Sequence, residues 1–412
     1  MKKILKAYLK REEYLMSLET ELLYTRKYKD GACNLLKPEA FPLYTATAFT
    51  ANTLSEIKQA YAQGYTYIRT NNPDRDVLAS QITALEAPGL EDKDTLVFSS
   101  GMASISTTIG SLLKAGDHVI CNSRIYGETF DVFGKMFSRF GIESTLVNMD
   151  DIENVKAAIK PNTKMIYAEV CANPTMNLID IPEFAKLAHE NGALLMMDNT
   201  FTTAISIKPL TLGADIVISS MTKFMNGHSD AILGCMTASK EIIETVRPMR
   251  MLFGTPADPF PCWMMIRGLE TLHLRVRKQM YNAAKLAEFF ENDPHVIKVN
   301  HPSLDSFPQR AIAKKLWSDD EAISGMMSII LNTEDEAKID KFMAKLQYVH
   351  YATTLGGLRT TLNHPCTSSH SHMPDADRRK MGITPGMFRV SVGIEDTQDL
   401  INDFKQAFAE LD

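Results

Sequence analysis

No apolar run in the 412-residue chain approaches the ~20 residues that a helix needs to cross a bilayer. A membrane span is therefore not expected. The opening stretch, MKKILKAYLKREEYL, begins basic like an export signal, but charges break it before an apolar segment can form. A secretory signal is not expected either. Cysteine is sparse: Cys33, Cys121, Cys171, Cys235, Cys262 and Cys366 are scattered, with no CxxC pair among them. This argues for reduced thiols in a cytoplasm rather than a disulfide framework. Positive charge is not in excess. The formal net charge of −6 gives no global basic field for phosphate backbones, so nucleic acid is not an expected partner. There is no internal repeat and no low-complexity segment.

What is present is an ordinary globular mixture, 45% hydrophobic and 23% charged. The length suggests two or three packed units. In the first thirty or so residues, Ile4, Tyr8, Leu15, Leu18, Leu22 and Leu23 fall roughly on one face of a charged helix. That predicts an arm packed on the protein or on a partner subunit. From about residue 60 to 260, short apolar runs (TLVFSS, HVICNS, STLVNM, KMIYAEV, LLMMDNT, DIVISS, ILGCMT) alternate with helical stretches such as 152–159 and 181–191. Continuous apolar strands belong to sheets covered on both faces, so the pattern predicts an α/β unit with a mainly parallel, seven-stranded sheet. A helical stretch over 263–290 leads to a smaller α/β unit, marked by GMMSIILN, a helix near 334–346, FRVSVGI and a final helix over 397–411. The expected organisation is an arm over 1–60, a first α/β unit over 61–262 and a second over 263–412. The polar stretch 363–381 reads as a loop. Its His364, Cys366, His370 and His372 could suggest zinc, but nothing fixes a tetrahedral convergence, and no metal site is expected.

Several segments carry possible chemistry. In ADIVISSMTKFMNGHSD a strand runs into Ser219, Ser220, Met221, Thr222 and Lys223. A lysine at the carboxyl end of a parallel strand sits where such sheets bind ligands, and a desolvated amine is nucleophilic. Ser220 and Thr222 offer hydroxyls to a phosphate. In LLMMDNTF, Asp198 stands at a strand end, where a carboxylate can hold a pyridine nitrogen protonated or simply make a cap or an ion pair. In LVFSSGMASIS, Ser100, Gly101 and Met102 join a strand to a helix whose first N–H groups can bind an anion. Tyr126 in RIYGET could stack on a flat ring, and Asn173 in CANPT could donate to a phenolic oxygen. Each also reads as an ordinary turn, cap or core residue, and none decides alone.

Their order does decide. The chain carries Y-x-R-x-x-N-P (Tyr67, Arg69, Asn72, Pro73), then SGMA, YG, NPT, DNT and S-x-T-K-x-x-x-GHSD, followed by GTPADPF, RGLETLHLRV, TLGG, HP and RVSVGIE. From about residue 40 onward this series resembles the Cys/Met-metabolism family of pyridoxal-phosphate (PLP) enzymes. The resemblance implies the type I, aspartate aminotransferase-like fold. It makes Lys223 the Schiff-base lysine, Asp198 the partner of the pyridine nitrogen and Tyr126 the ring-stacking tyrosine. Asn173 becomes the partner of the 3-hydroxyl, Ser100, Gly101, Met102, Ser220 and Thr222 become phosphate donors, and Tyr67 and Arg69 reach the phosphate from a neighbouring subunit. Arg389 matches the clamp for the substrate α-carboxylate, and Thr354 stands where serine is usual. A homotetramer built as a pair of dimers, acting on a small amino acid, is implied.

The implied activity is that of a C–S lyase, with Lys223 as base at Cα and Tyr126 as acid for the leaving sulfur. The product is a 2-oxo acid with ammonia. A replacement enzyme (cystathionine γ-synthase or O-acylhomoserine sulfhydrylase) and a methionine γ-lyase share its first steps. A scaffold without catalysis would predict a broken cofactor site, and an aminotransferase rests on the fold alone. The chain departs from the family's pattern at Glu128, Arg359, Ser219 and Asp74-Arg75-Asp76. These read either as surface drift or, for Glu128 and Arg359, as a lining of the substrate's distal end that selects a polar or charged group.

Overall fold

The computed structural model describes residues 39–317, 324–371 and 373–412, together with Ser17, Thr20, Leu22 and Leu23. The remainder of the expected N-terminal arm, Cys33 and His372 lie outside the described residues. Leu22 is buried in the main core, and the Gln81 side chain donates to its carbonyl at 3.3 Å.

The seven expected apolar runs are seven strands: β1 (Lys93–Phe98), β2 (His118–Asn122), β3 (Glu143–Val147), β4 (Thr163–Glu169), β5 (Leu194–Asp198), β6 (Ile216–Ser219) and β7 (Gly234–Ser239). They lie in the order β1-β7-β6-β5-β4-β2-β3. Only β7 runs antiparallel to its neighbours; the other contacts are parallel. The runs are apolar without alternation because successive residues feed opposite cores. Ile120, Ile166 and Leu195 join one apolar cluster, while Val119, Met165 and Met196 join the other.

A second sheet follows, with β8 (Val296–Asn300), β9 (Met326–Leu331), β10 (His350–Tyr351), β11 (Thr361–Asn363) and β12 (Met387–Ser391) in the order β10-β11-β12-β9-β8. The helix Leu272–Glu291 packs on β8 and β9, and the helix Thr397–Phe408 packs on it in turn. The larger apolar cluster holds Ile166 and Leu195 of the first sheet together with Ile329 and Val390 of the second. The mainly parallel sheet and the smaller α/β unit expected from the sequence are thus both present.

Two local expectations differ. The helical stretch over 263–290 is two helices, Pro259–Leu269 and Leu272–Glu291. The Arg275 guanidinium takes the Gly268 carbonyl at 2.7 Å, so that carbonyl does not carry one helix into the next. The first of these helices also runs through residue 262, where one unit was expected to end. The charged run Asp74-Arg75-Asp76 is not surface drift. Asp74 and Arg75 are buried in the first turn of the helix Pro73–Glu86, capped by the Asn72 side chain. Asp74 accepts from the Tyr44 N–H at 3.0 Å, Arg75 donates to the carbonyls of Ala257 and Ile68, and Asp76 accepts from the Tyr65 hydroxyl. The run therefore pins the segment that carries Tyr67.

Candidate active site

β2, β4, β5 and β6 are parallel, and β1 shares their direction because it and β6 both run against β7. Five strand ends therefore point to one edge of the sheet, where ligands of such sheets bind. That edge holds a cavity of about 250 Å³, lined by Ser100, Gly101 and Met102 after β1, Tyr126 after β2, Asn173 after β4, Asp198 at the end of β5, and Ser220, Thr222 and Lys223 after β6. Arg389 reaches it from β12 of the second sheet.

Each side chain has a local reason for its place. Ser100 caps the helix Gly101–Leu112, accepting from the Ala103 N–H at 3.0 Å and aiming the first N–H groups at the cavity. A Cβ on Gly101 would stand 2.8 Å from Ser220 Cβ and 3.1 Å from its Cα, so only glycine lets the two loops meet there. A Cβ on Gly356, at φ +75°, would press on the peptide joining Lys223 to Phe224. Asp198 accepts from the Thr200 N–H at 2.9 Å and from the Tyr167 hydroxyl at 3.4 Å. Burial pushes its carboxyl upward and the Thr200 bonds oppose this. The Lys223 amine makes no hydrogen bond among the described residues. Burial lowers its pKa first, Arg389 lowers it further, and Glu128 opposes. Arg389 donates to Asn173 Oδ1 at 3.1 Å and to the Thr354 carbonyl at 3.3 Å, while its Nε is buried without a partner among the described residues. Burial pulls it down to about 10. The Thr222 hydroxyl is engaged with the Leu233 backbone, donating to the carbonyl at 3.2 Å and accepting from the N–H at 3.1 Å.

Not every expected residue is at the cavity. Thr353 and Leu355 line it rather than Thr354, whose carbonyl holds Arg389. Glu128 is exposed in the helix Gly127–Asp131, two residues on from Tyr126, and it does not line the cavity. Burial first, and then the nearby Glu128 carboxylate, push the Tyr126 phenol up to about 12. Arg359 is exposed, and it does not line the cavity. Tyr67 and Arg69 do not line it either. Tyr67 is 46% exposed, with the Arg69 guanidinium 5.7 Å over its ring, and Arg69 donates to the Met251 carbonyl at 3.2 Å. In the polar loop, His364 bonds the Pro385 carbonyl at 2.7 Å and His370 bonds the Ser369 hydroxyl at 2.8 Å. Among the described residues no His, Cys, Asp and Glu side chains cluster to hold a metal.

The residue the sequence reading passed over is Glu169, which closes β4 and lines the cavity. Its signal was the one used for Asp198: a carboxylate ending an apolar run.

Over residues 19–409 the chain matches the family of Cys/Met metabolism PLP-dependent enzymes. The chain belongs to that family. It is 37% identical to cystathionine beta-lyase MetC of Bacillus subtilis, over 96% of this chain and 97% of that protein. It is 36% identical to L-methionine gamma-lyase of Fusobacterium nucleatum subsp. polymorphum, over 92% and 95%. Among solved structures, cystathionine gamma-lyase from Lactobacillus plantarum, in complex with L-serine, superposes with a TM-score of 0.87 at 32% identity, covering 96% of this chain and 99% of that one. The chain is accordingly a PLP-dependent carbon–sulfur lyase of the type I, aminotransferase-like fold. The residues present suit PLP. A half-buried amine with no hydrogen bond among the described residues, a carboxylate lining the cavity and a glycine-tight helix start are what an aldehyde, a pyridine nitrogen and a phosphate require.

Proposed function

We propose that the protein expels a thiol from a sulfur amino acid (cystathionine, cysteine or a related thioether) to give a 2-oxo acid and ammonia. The observation that carries this is the pairing of Lys223 and Arg389 in one cavity. Arg389 offers a planar fork to the substrate α-carboxylate, which sets Cα beside the lysine. The Lys223 amine, made less basic by burial and by Arg389, is the base for the Cα proton. PLP would be held by Lys223, with Asp198 at the pyridine nitrogen and with Ser100, Gly101, Met102, Ser220 and Thr222 (its hydroxyl turned from the Leu233 carbonyl) at the phosphate, and would supply the electron sink for the charge left at Cα. Asn173 holds the 3-hydroxyl. Tyr126, kept a neutral phenol by burial and by Glu128, gives its proton to the departing sulfur. A γ-leaving group needs a second proton removed, from Cβ.

Although both are exposed and outside the cavity lining, we read Glu128 and Arg359 as selecting a substrate whose far end is polar or charged and reaches beyond that lining. Glu128 supports this through its electrostatic influence on Tyr126 and its attraction to the Lys223 ammonium. We further read the chain as a homotetramer of paired dimers in the cytoplasm, with Tyr67 and Arg69 completing a neighbour's site. Leu54, Tyr61, Leu252 and Phe253, between 53% and 76% exposed, give this region the apolar surface a partner would cover. Cys121, Cys171, Cys235, Cys262 and Cys366 are free thiols, which suits a reducing compartment.

The test is one assay of the PLP-loaded protein with cystathionine, cysteine, methionine and an O-acylhomoserine, recording 2-oxo acid, ammonia and thiol together. Matching thiol and oxo acid from a thioether supports the proposal. Silence with every thioether, with thioether formed from the ester plus a thiol, would replace the lyase with a synthase.

A further inference from the structure

Glu169 is buried, 7% exposed, at the last position of β4. Both of its oxygens are used by backbone N–H groups from two different loops: Oε1 accepts from Tyr126 at 2.7 Å and Oε2 from Asn173 at 3.0 Å. Asn173 in turn accepts from Arg389 at 3.1 Å, and Arg389 belongs to the second sheet. One carboxylate thus ties the loop after β2 to the loop after β4 and, through Asn173, to β12.

This arrangement asks for a carboxylate in particular. A glutamine has one accepting oxygen, so its amide N–H groups would face one of the two backbone donors. Keeping the carboxylate is costly. Burial first, and then Asp198, push Glu169 up to about 8, with the two N–H bonds and Arg389 opposing. The bridge lies in the cavity lining itself, so the spacing it imposes on the two loops sets the shape of the site.

We propose that Glu169 is the positioning residue of this site, fixing the backbones of Tyr126 and Asn173 relative to each other. The tyrosine ring and the asparagine amide then meet bound PLP at a set spacing, and Arg389 is aligned to both. The proposal rests on PLP occupying this cavity and goes beyond it by giving a role to a residue outside the implied cofactor contacts.

The experiment compares E169Q and E169D with the wild type, as full-length, PLP-loaded proteins. It reads the visible circular dichroism per bound cofactor, PLP affinity, and KM and kcat for one thioether. For E169Q we expect PLP still attached at Lys223, visible dichroism less than about half of wild type, and kcat/KM lower by roughly 10-fold or more, the scale of one buried backbone donor left unpaired. E169D, which keeps the charge with a shorter reach, should recover part of both. A purely structural role would lower the melting temperature and leave dichroism per cofactor and KM unchanged; that outcome overturns the proposal. If E169Q does not fold, E169D decides by the same readouts. Wild-type protein that takes up no PLP would sink the cofactor reading, a failure visible before any variant is made.

Discussion

Arg389 and Asn173 are bonded, guanidinium to amide oxygen, at 3.1 Å, although one comes from the second sheet and the other from a loop of the first. The substrate clamp is therefore held in line with the residue expected at the cofactor's 3-hydroxyl. A lysine at 389 keeps the charge but cannot hold Asn173, the Thr354 carbonyl and a carboxylate with one fork. R389K should retain PLP by absorbance while KM for the amino acid rises on the order of 10- to 100-fold. Steady-state kinetics beside a cofactor spectrum check this, and an unchanged KM would remove Arg389 from substrate binding.

The fold was legible because its signal is local. Each apolar run from TLVFSS to ILGCMT became a strand, since alternate side chains feed two cores and leave no polar face to blur the pattern. Asp198 and Lys223 were legible as polar residues at the ends of such runs. Glu169 has the same signature and was passed over, because its two bonds run to backbone atoms that no side-chain motif reveals. Thr354 was expected at the substrate, but at that turn Thr353 and Leu355 line the cavity, and one residue of register is invisible without coordinates. The Asp74–Asp76 run looked like solvated charge because its partners, the carbonyls of Ile68 and Ala257, are set by tertiary packing.

Glu128 gives the sharpest test of substrate choice. Its charge raises the Tyr126 phenol and favours the Lys223 ammonium, and a methyl thioether brought beside it offers no partner for the lost solvation. E128G should lower the ratio of kcat/KM for cystathionine over methionine by roughly 10-fold, while Tyr126 loses one cause of its raised pKa. An unchanged ratio would return Glu128 to a surface role.

Glu86 predicts a pH dependence of stability. It is fully buried at the end of the helix Pro73–Glu86, with Oε1 unpartnered among the described residues and Asn199 donating to Oε2 at 3.5 Å. Burial pushes it from 4.5 to about 8, against Lys208 and the Asn199 bond. Between those values the folded protein holds a proton that the unfolded chain has released, so this group's contribution to stability falls as pH rises. E86Q has no proton to lose. Its melting temperature should match wild type near about pH 5 and exceed it progressively toward alkaline pH. A constant offset at every pH would mean that Glu86 does not titrate in this window.

Tyr67 and Arg69 lie outside the cavity of their own chain, and the Asp74–Asp76 run, buried at Asp74 and Arg75, holds their segment against the protein. If they complete a neighbour's site, damage to Arg69 and damage to Lys223 fall on different sites in a mixed dimer. One site then carries both lesions and the other carries neither. R69A and K223A should each be nearly inactive alone. After unfolding and refolding together, or on co-expression with two affinity tags, the hybrid should recover activity approaching half that of a wild-type dimer, on the rule that a shared site is made of residues from both copies. Recovery can arise only if the two residues act across the interface. Hybrids as inactive as their parents would place Arg69 and Lys223 in the same site, and would confine Arg69 to its bond with Met251 and its stacking on Tyr67.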